Sequence, residues 1–184
     1  MSNAEENGQK AKNVQKQQVD DNKVVSFHYR MCEVGEGGQH SEWMEESFSK
    51  QPLKYLHGFH NVIVGLEKAL EGKNVGDQVN ITLQPEEAYG IARPNSVKRV
   101  SKKHIRSKIN SSKLAPGMIV AVRTEQGFKE VIVVKAGKFS VDIDFNHPLA
   151  GRVLYYEVEV VGIDEAASDE LEHGHAHGVG GHQH

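Results

Sequence analysis

Two long runs near opposite ends of the chain place apolar side chains at every second position, and they constrain the fold more than any other feature. The first run covers residues 24–33 and the second covers residues 152–163. This period is typical of β-strands with one buried face. The predicted buried faces consist of Val25, Phe27, Tyr29 and Met31 in the first run and Leu154, Tyr156, Val158 and Val160 in the second. We expect both strands to lie in one small antiparallel sheet.

One short helix is predicted between these strands. Its apolar positions, which recur at helical spacing, are Ile63, Leu66 and Leu70. Asn61 can cap the first turn, and Gly72 stands where a left-handed C-terminal cap is expected. The following Val-Gly-Asp-Gln sequence is predicted to turn into another alternating strand at residues 78–83. A small antiparallel sheet wrapped on one short helix belongs to the α+β class.

The middle of the chain differs from its surroundings in charge and pattern. Residues 92–124 contain nine Lys or Arg residues and no Asp or Glu, which leaves 13 basic and 25 acidic residues in the rest of the chain. Three strand-like runs at residues 118–124, 128–136 and 139–145 are separated by short turns. These features predict a second small sheet that interrupts the first. The uneven charge suggests that the two parts meet different partners.

Composition limits the compartment and the metal chemistry. No stretch approaches the roughly 20 apolar residues that span a bilayer, and residues 1–23 lack the apolar core of a signal peptide. We therefore expect a cytoplasmic protein without a membrane partner. Residues 1–23 are polar and aperiodic, which predicts a disordered arm. Cys32 is the only cysteine, so a metal site built from one chain would use His and carboxylate ligands.

Two sequence motifs carry a resemblance to a known family. GLEKALEGKNVGDQVNITLQPEEAYG at residues 65–90 resembles the FKBP-type prolyl isomerases, and NHPLAGRVLYYEVEVVGI at residues 146–163 resembles the end of the same domain in the bacterial SlyD subgroup. In that subgroup the loop after Ala-Tyr-Gly is expanded into an insert-in-flap domain, and the C-terminus is rich in histidine. The resemblance implies an isomerase domain at residues 24–92 plus 148–164, an inserted chaperone domain at 93–147 and a metal-binding tail at 165–184. Both termini are expected to be disordered.

The resemblance also implies the residues of an isomerase site. Those expected to act in catalysis are Tyr89, Tyr29, Glu45 and Tyr156, and those expected to bind substrate are Met44, Leu53, Val62, Ile63 and Leu66. Glu45 stands where the family usually has Asp, Leu66 where many relatives have Trp, and Tyr156 where Phe is common. These departures predict an altered rate and poor binding of large macrocyclic inhibitors. The alternative is a non-catalytic holdase chaperone or metal carrier with a weakened pocket.

The insert is implied to bind unfolded or nascent polypeptides through exposed apolar strands. The candidate residues are Ile119, Val120, Phe128, Val131, Ile132 and Val133. The same side chains could equally form the core of the insert, and the sequence leaves both possibilities open. The basic run at residues 97–108 suggests nucleic-acid binding. It lacks the interleaved aromatic residues that stack on bases, so a solvated face that attracts acidic clients is favoured.

The tail spaces three histidines two residues apart, which an extended chain would present on one side. The candidate ligands are His173, His175, His177, His182 and His184. Imidazole clusters suit Ni²⁺, Zn²⁺ and Cu²⁺, and the resemblance implies Ni²⁺ or Zn²⁺ with a link to hydrogenase maturation proteins. His57 is the candidate ligand outside the tail, because the tail could fold back onto it. Isomerisation itself is expected to need no cofactor, and we expect a monomer.

Overall fold

The computed structural model describes residues 17–106 and 113–177. Within these ranges the chain forms ten strands and two helices. The strands are β1 (Lys23–Glu33), β2 (Glu45–Glu46), β3 (Leu53–Leu56), β4 (Gln78–Leu83), β5 (Val97–Ser101), β6 (Ile105–Arg106), β7 (Ile119–Thr124), β8 (Gly127–Ala136), β9 (Ser140–Asp144) and β10 (Leu154–Glu165). The helices are α1 (Val64–Leu70) and α2 (Ser168–His173). The antiparallel sheets agree with the predicted α+β class, although the sequence predicts only the first helix.

The main sheet has the strand order β2-β1-β10-β4, and β3 pairs with the beginning of β1. β1 and β10 pair antiparallel from Lys23 opposite Glu165 to Glu33 opposite Leu154, with one register shift at Ser26. The predicted alternation is confirmed, because the apolar faces of both strands meet in one core. Leu66 and Leu70 of α1 close that core.

Gly65 allows α1 to approach β4 and the turn that follows it. A Cβ atom at this position would lie 2.5 Å from the Cδ2 atom of Leu83 and 3.0 Å from the carbonyl oxygen of Glu87. Both distances are shorter than side chains tolerate without movement of their neighbours. The glycine therefore fixes the spacing between the helix and the segment that leads to residue 89.

The two predictions for the ends of α1 have different outcomes. Gly72 is left-handed with a φ of +73°, as predicted. The predicted cap at Asn61 is wrong, because α1 begins at Val64 without a side-chain cap. Asn61 instead accepts a hydrogen bond from the Leu56 N–H at 3.1 Å and donates to the carbonyl oxygen of Gly174 at 2.9 Å. It thus joins the loop before α1 to the C-terminal segment.

The insert has its own sheet and its own core. The strand order is β5-β9-β8-β7-β6, and a single 3₁₀ turn at Lys102–His104 lies in the basic segment. The buried core residues are Leu114, Val120, Val122, Val131, Val133, Val141 and Ile143. The expectation that Val131 and Val133 form a client-binding surface is therefore wrong for this structure, since both are 0% exposed. The sequence left open whether these valines bind clients or form the core of the insert, and the structure places them in the core.

Asn146 joins the two chain segments that connect the insert to the main sheet. Its Oδ1 atom accepts from the Arg93 N–H at 2.9 Å, and its Nδ2 atom donates to the Arg93 carbonyl oxygen at 3.1 Å. A second bond at the same root joins the Gly151 N–H to the Gly90 carbonyl oxygen at 2.8 Å. The root of the insert is therefore narrow and hydrogen-bonded on both sides.

The described residues next to both termini, 17–23 and 165–177, are ordered, although the sequence predicts disorder for them. The expectation of disorder is wrong for residues 17–23, because Val19 is buried in the main core and exchanges backbone hydrogen bonds with Gly72 and Lys73. It is also wrong for residues 165–177, where α2 is followed by Ala176, which is buried against the main-sheet domain. Residues 1–16 and 178–184 lie outside the described ranges. Across the described ranges, the structure contains no helix of the length and apolarity that a membrane crossing requires.

Candidate active site

A small cleft is formed where the main sheet, α1 and the loops around them meet. Its lining residues are Phe27, Tyr29, Glu45, Leu53, Val62, Ile63, Leu66, Tyr89 and Tyr156. β1 supplies Phe27 and Tyr29, β10 supplies Tyr156, and the loop after β4 supplies Tyr89. The cavity volume is about 40 Å³, which is room for a few water molecules. The cleft therefore suits a compact apolar group with a polar edge.

The structure brings together all but one of the residues that the resemblance implies for this site. Met44 is the exception, because it is 46% exposed and does not line the cleft. Its backbone N–H bonds to the Met31 carbonyl oxygen, which places it on the strand edge beside Glu45. Phe27 lines the cleft but is absent from the implied set. The alternation of β1 could have identified it, since Phe27 lies two residues before Tyr29 on the same face.

Glu45 reaches the cleft although its side chain is one methylene longer than the usual Asp. β2 pairs with β1 so that Glu45 lies opposite Met31. Its Oε1 atom accepts a hydrogen bond from the Tyr29 hydroxyl at 2.7 Å. Burial, then this hydrogen bond and the nearby negative charge, raise the pKa of Tyr29 well above its usual range. The longer side chain therefore keeps the carboxylate at the site.

A hydrogen bond also joins the hydroxyls of Tyr89 and Tyr156. Burial raises the pKa of Tyr89, while the bond to Tyr156 lowers it. Burial is likewise the largest cause of the raised pKa of Tyr156, and the bond to Tyr89 raises it further. All three tyrosines of the cleft remain neutral hydrogen-bond donors at physiological pH.

Glu67 supports the loop that carries Val62 and Ile63, and nothing in the sequence pattern indicates this role. It is buried on α1, and its Oε1 atom accepts hydrogen bonds from the backbone N–H groups of Gly58 at 3.0 Å and His60 at 3.3 Å. The contacts span seven to nine residues along the chain. A buried carboxylate with this many partners fixes the loop beside the cleft.

The three described histidines of the tail come close together, but not as an extended strand. His173 ends α2, and the ring centroids of His173, His175 and His177 lie 5.3–5.8 Å apart. His173 Nδ1 and His177 Nε2 are 3.3 Å apart and share a hydrogen bond. In the part of the chain that the structure describes, no three His, Cys, Asp or Glu side chains are arranged to hold a metal ion. His182 and His184 lie outside the described ranges.

The other predicted residues occupy two different environments. His57 is buried, and its Nδ1 atom shares a hydrogen bond with the Tyr55 hydroxyl at 2.9 Å, so its contacts are those of a core residue. Ile119 and Phe128 on the insert are 54% and 55% exposed. These two side chains are therefore accessible to a partner, unlike the valines of the insert core.

Comparison with known proteins agrees with the resemblance in the sequence. The FKBP-type peptidyl-prolyl cis-trans isomerase family matches residues 15–161. The FKBP-type peptidyl-prolyl cis-trans isomerase SlyD of Haemophilus influenzae is 40% identical over 161 residues, which cover 88% of this chain and 80% of that protein. The SlyD protein of Vibrio cholerae is 37% identical, with 89% of this chain and 77% of that protein covered.

The SlyD protein of Escherichia coli is 41% identical over 136 residues, which cover 74% of this chain and 68% of that protein. A crystal structure of FkpA from Escherichia coli has a TM-score of 0.41 at 14% identity, over 82% of this chain and 44% of that one, which is too distant to inform the fold. The family match covers most of the chain, and this chain belongs to the FKBP-type peptidyl-prolyl cis-trans isomerases. Within that family its relatives make it a SlyD-type enzyme.

Proposed function

We propose that this isomerase acts on unfolded proline-containing chains that its insert captures, and that its tail binds Ni²⁺ or Zn²⁺. The observation that carries the proposal is the joint presence of a cleft lined by neutral tyrosine donors and a separate domain with exposed apolar side chains. The cleft performs the isomerisation, and the insert raises the local concentration of chains that contain the target bond.

The reaction requires rotation about an X-Pro bond, which amide resonance opposes with a barrier of roughly 18–20 kcal/mol. No covalent chemistry is needed. An apolar cleft that excludes water from the proline amide stabilises the twisted form over the planar ground state. The Tyr89 hydroxyl shares a hydrogen bond with Tyr156, and we propose that in the bound state it donates a hydrogen bond to a carbonyl oxygen of the substrate. The Tyr89 ring then packs beside the proline.

A refolding reaction limited by proline isomerisation tests the role of Tyr89. Removal of one hydrogen bond to the transition state, in Tyr89→Phe, is expected to lower kcat/KM about tenfold, because such a bond contributes about 1–1.5 kcal/mol. Tyr55→Phe is the matched control, since Tyr55 is buried outside the cleft and bonds to His57. Unchanged kcat/KM in Tyr89→Phe would show that this hydroxyl has no part in catalysis.

The insert offers apolar side chains within a basic surface. Its exposed apolar residues include Val97, Ile119, Phe128, Val134 and Phe139, with Phe139 at 76% exposure. Residues 93–147 contain twelve Lys or Arg and four Asp or Glu, and basic groups lie over phenylalanine rings, as Arg106 does over Phe128 at 5.4 Å. Such a surface combines apolar contact with attraction of acidic segments. It therefore favours unfolded clients that carry aromatic or aliphatic residues among acidic ones.

Suppression of aggregation by the full chain tests client capture separately from catalysis. The double substitution Ile119→Ser with Phe128→Ser is expected to weaken suppression, and added salt is expected to weaken it in the wild type. Val161→Ser is the control, because Val161 is an exposed aliphatic residue on the main sheet. Tyr89→Phe is expected to suppress aggregation as the wild type does. Equal suppression by the double variant and the wild type would exclude this surface.

Metal binding by the tail is supported by the proximity of three imidazoles and by the donor chemistry. Neutral imidazole nitrogens suit Ni²⁺ and Zn²⁺, although the described rings would have to rotate out of their mutual contacts. Truncation after Glu172 is expected to abolish Ni²⁺ binding measured by calorimetry. The triple variant His173→Asn, His175→Asn and His177→Asn should give the same result if these three imidazoles are ligands. An unchanged stoichiometry after truncation would place the site in the body of the protein. A metal-binding tail would be consistent with a role in metalloenzyme maturation.

A further inference from the structure

One ring of the cleft is stacked against a histidine that lies in the second sequence motif, residues 146–163, but that the predicted site does not include. The His147 ring lies parallel to the Tyr89 ring, with an interplanar angle of 6° and a centroid separation of 4.2 Å. His147 is exposed, whereas Tyr89 is partly buried and lines the cleft. The contact joins residues 58 positions apart in the sequence, one before the insert and one at its end.

The His147 ring is itself held in place. Its Nδ1 atom accepts a hydrogen bond from the Leu149 N–H at 3.1 Å, and Leu149 packs against the main core. This bond requires an unprotonated Nδ1, which puts the proton of the neutral ring on Nε2. The preceding residue, Asn146, is bonded to both backbone polar groups of Arg93. The stack on Tyr89 is therefore anchored to the main core and to the root of the insert.

We propose that His147 is a positioning residue of the isomerase, which fixes the plane of the Tyr89 ring and with it the direction of the Tyr89 hydroxyl. The Tyr89 hydroxyl meets Tyr156 on the cleft side, while His147 covers a face of the ring. A planar ring confined by a parallel neighbour loses rotational freedom, and a hydroxyl at the end of that ring gains a fixed direction. Catalytic groups need such support because small displacements cost large fractions of the rate.

The same geometry predicts that the insert influences the cleft. His147 is the last residue of the insert, and the Asn146 hydrogen bonds set its backbone position. Movement of the insert at its root would therefore be transmitted to the plane of the Tyr89 ring. The inference rests on the proposed role of Tyr89 in the reaction.

Two substitutions separate the stack from the local turn. In His147→Asn the Oδ1 atom can still accept from the Leu149 N–H, but the ring is lost. In His147→Phe the ring is kept, but the acceptor is lost. If the stack matters, kcat/KM falls in His147→Asn and stays close to the wild-type value in His147→Phe. If only the turn matters, the order of the two variants is reversed.

The assay uses the full chain and a proline-containing tetrapeptide, which is too short to depend on capture by the insert. We expect a roughly three- to tenfold loss of kcat/KM in His147→Asn, in line with the contribution of an aromatic pair. Denaturant unfolding of each variant accompanies the assay, so that a loss caused by unfolding is recognised. Altered chemical shifts of the Tyr89 ring protons are expected in His147→Asn, because the ring current of the imidazole is removed.

A double-mutant cycle with Tyr89→Phe identifies the route of the effect. If His147 acts through the Tyr89 hydroxyl, His147→Asn has little further effect in the Tyr89→Phe background. Three results would each overturn the proposal. In the first, His147→Asn lowers kcat/KM by the same factor in the Tyr89→Phe background as in the wild type. In the second, His147→Asn is as active as the wild type, and in the third, His147→Asn and His147→Phe lose the same activity. If Tyr89→Phe alone leaves kcat/KM unchanged, the role of Tyr89 fails as well. If kcat/KM falls in Tyr89→Phe but is unchanged in His147→Asn, only the inference about His147 is refuted.

Discussion

Three tyrosine hydroxyls and one carboxylate determine the polarity of the cleft. Tyr29 donates to Glu45, and a hydrogen bond joins the hydroxyls of Tyr89 and Tyr156, so the four polar side chains form two hydrogen-bonded pairs within an apolar lining. Burial is the largest cause of the raised pKa in all three tyrosines. Because a phenol with a raised pKa in the folded state favours folding while protonated, this stabilisation is present below about pH 10 and is lost as pH rises through the folded-state pKa values.

Replacement of Glu45 by Gln tests the electrostatic part of this arrangement. The change removes the negative charge but keeps an oxygen that can accept from Tyr29. The pKa of Tyr29 should fall, yet remain above its usual value because burial is unchanged. Absorbance titration, with Tyr29→Phe to assign the transition, measures the shift. Glu46→Gln, which removes an exposed neighbouring carboxylate, should leave the Tyr29 titration as it is. A Tyr29 pKa that does not move would contradict the assignment.

At the scale of the elements, close packing of α1 positions the segment that carries Tyr89. Gly65→Ala places a methyl group within 2.5 Å of the Leu83 side chain and 3.0 Å of the Glu87 backbone. Overpacking of this kind typically costs about 1–3 kcal/mol, and the better helix propensity of Ala offsets less than about 1 kcal/mol. Denaturant unfolding should show the loss, and kcat/KM should also fall because the segment shifts. Lys68→Ala, a change on the exposed side of α1, is the control. A fully stable Gly65→Ala would show that the contact relaxes easily.

The carboxylate of Glu170 accepts hydrogen bonds from both ends of the C-terminal segment, residues 167–177. Glu170 Oε2 accepts from the Ala167 N–H at 2.9 Å, and Oε1 accepts from the His177 N–H at 2.6 Å. These two bonds lower the pKa of Glu170. A depressed pKa stabilises the docked segment above the ordinary Glu value of about 4.5, and the stabilisation is lost as pH falls through the folded-state pKa.

Glu170→Gln is therefore expected to release the segment at neutral pH. Hydrogen bonds to a charged acceptor contribute about 1.5–3 kcal/mol, so the amide of His177 should lose much of its hydrogen-exchange protection. The acid-dependent loss of protection seen in the wild type should disappear in this variant. Glu172→Gln, on the exposed side of the same helix, should behave as the wild type. Protection that survives in Glu170→Gln would mean that burial of Ala176 is enough to hold the segment.

For the whole molecule, the structure separates two cores that meet at a narrow root. The residues of the insert core are absent from the main core, and the chain crosses between them beside Asn146 and Gly151. The charges are also divided, since the insert is basic and the remainder of the chain is acidic. This division fits our proposal of a catalytic unit joined to a client-binding unit.

Excision of residues 94–145, with a short glycine linker between Arg93 and Asn146, tests that division. The main core should still form, and activity on a tetrapeptide should stay within a few fold of the wild type. Catalysis of protein refolding and suppression of aggregation should both fall much further, because capture is lost. Insertion of the same linker elsewhere on the surface serves as the control for the linker. Loss of tetrapeptide activity in a folded variant would show that the cleft depends directly on the insert.

The sequence by itself determined the features that depend on local pattern. The alternation in residues 24–33 and 152–163 predicted the paired strands β1 and β10, and the family resemblance predicted all but one of the residues that line the cleft. A strand has a two-residue period, so the side chains of one face are set by their spacing alone. Phe27 was within reach of the same argument, because it shares a face with Tyr29.

The tertiary structure decided which face is buried and which distant residues meet. Residues 131–134 are apolar at every position, so period alone could not show that Val131 and Val133 point inward. Val19 at one end of the chain and Ala176 at the other are single apolar residues without a period, and only packing buries them. The bond from His177 to Glu170 and the stack of His147 on Tyr89 join residues brought together by the fold. Such contacts depend on how the elements pack, which local spacing does not specify.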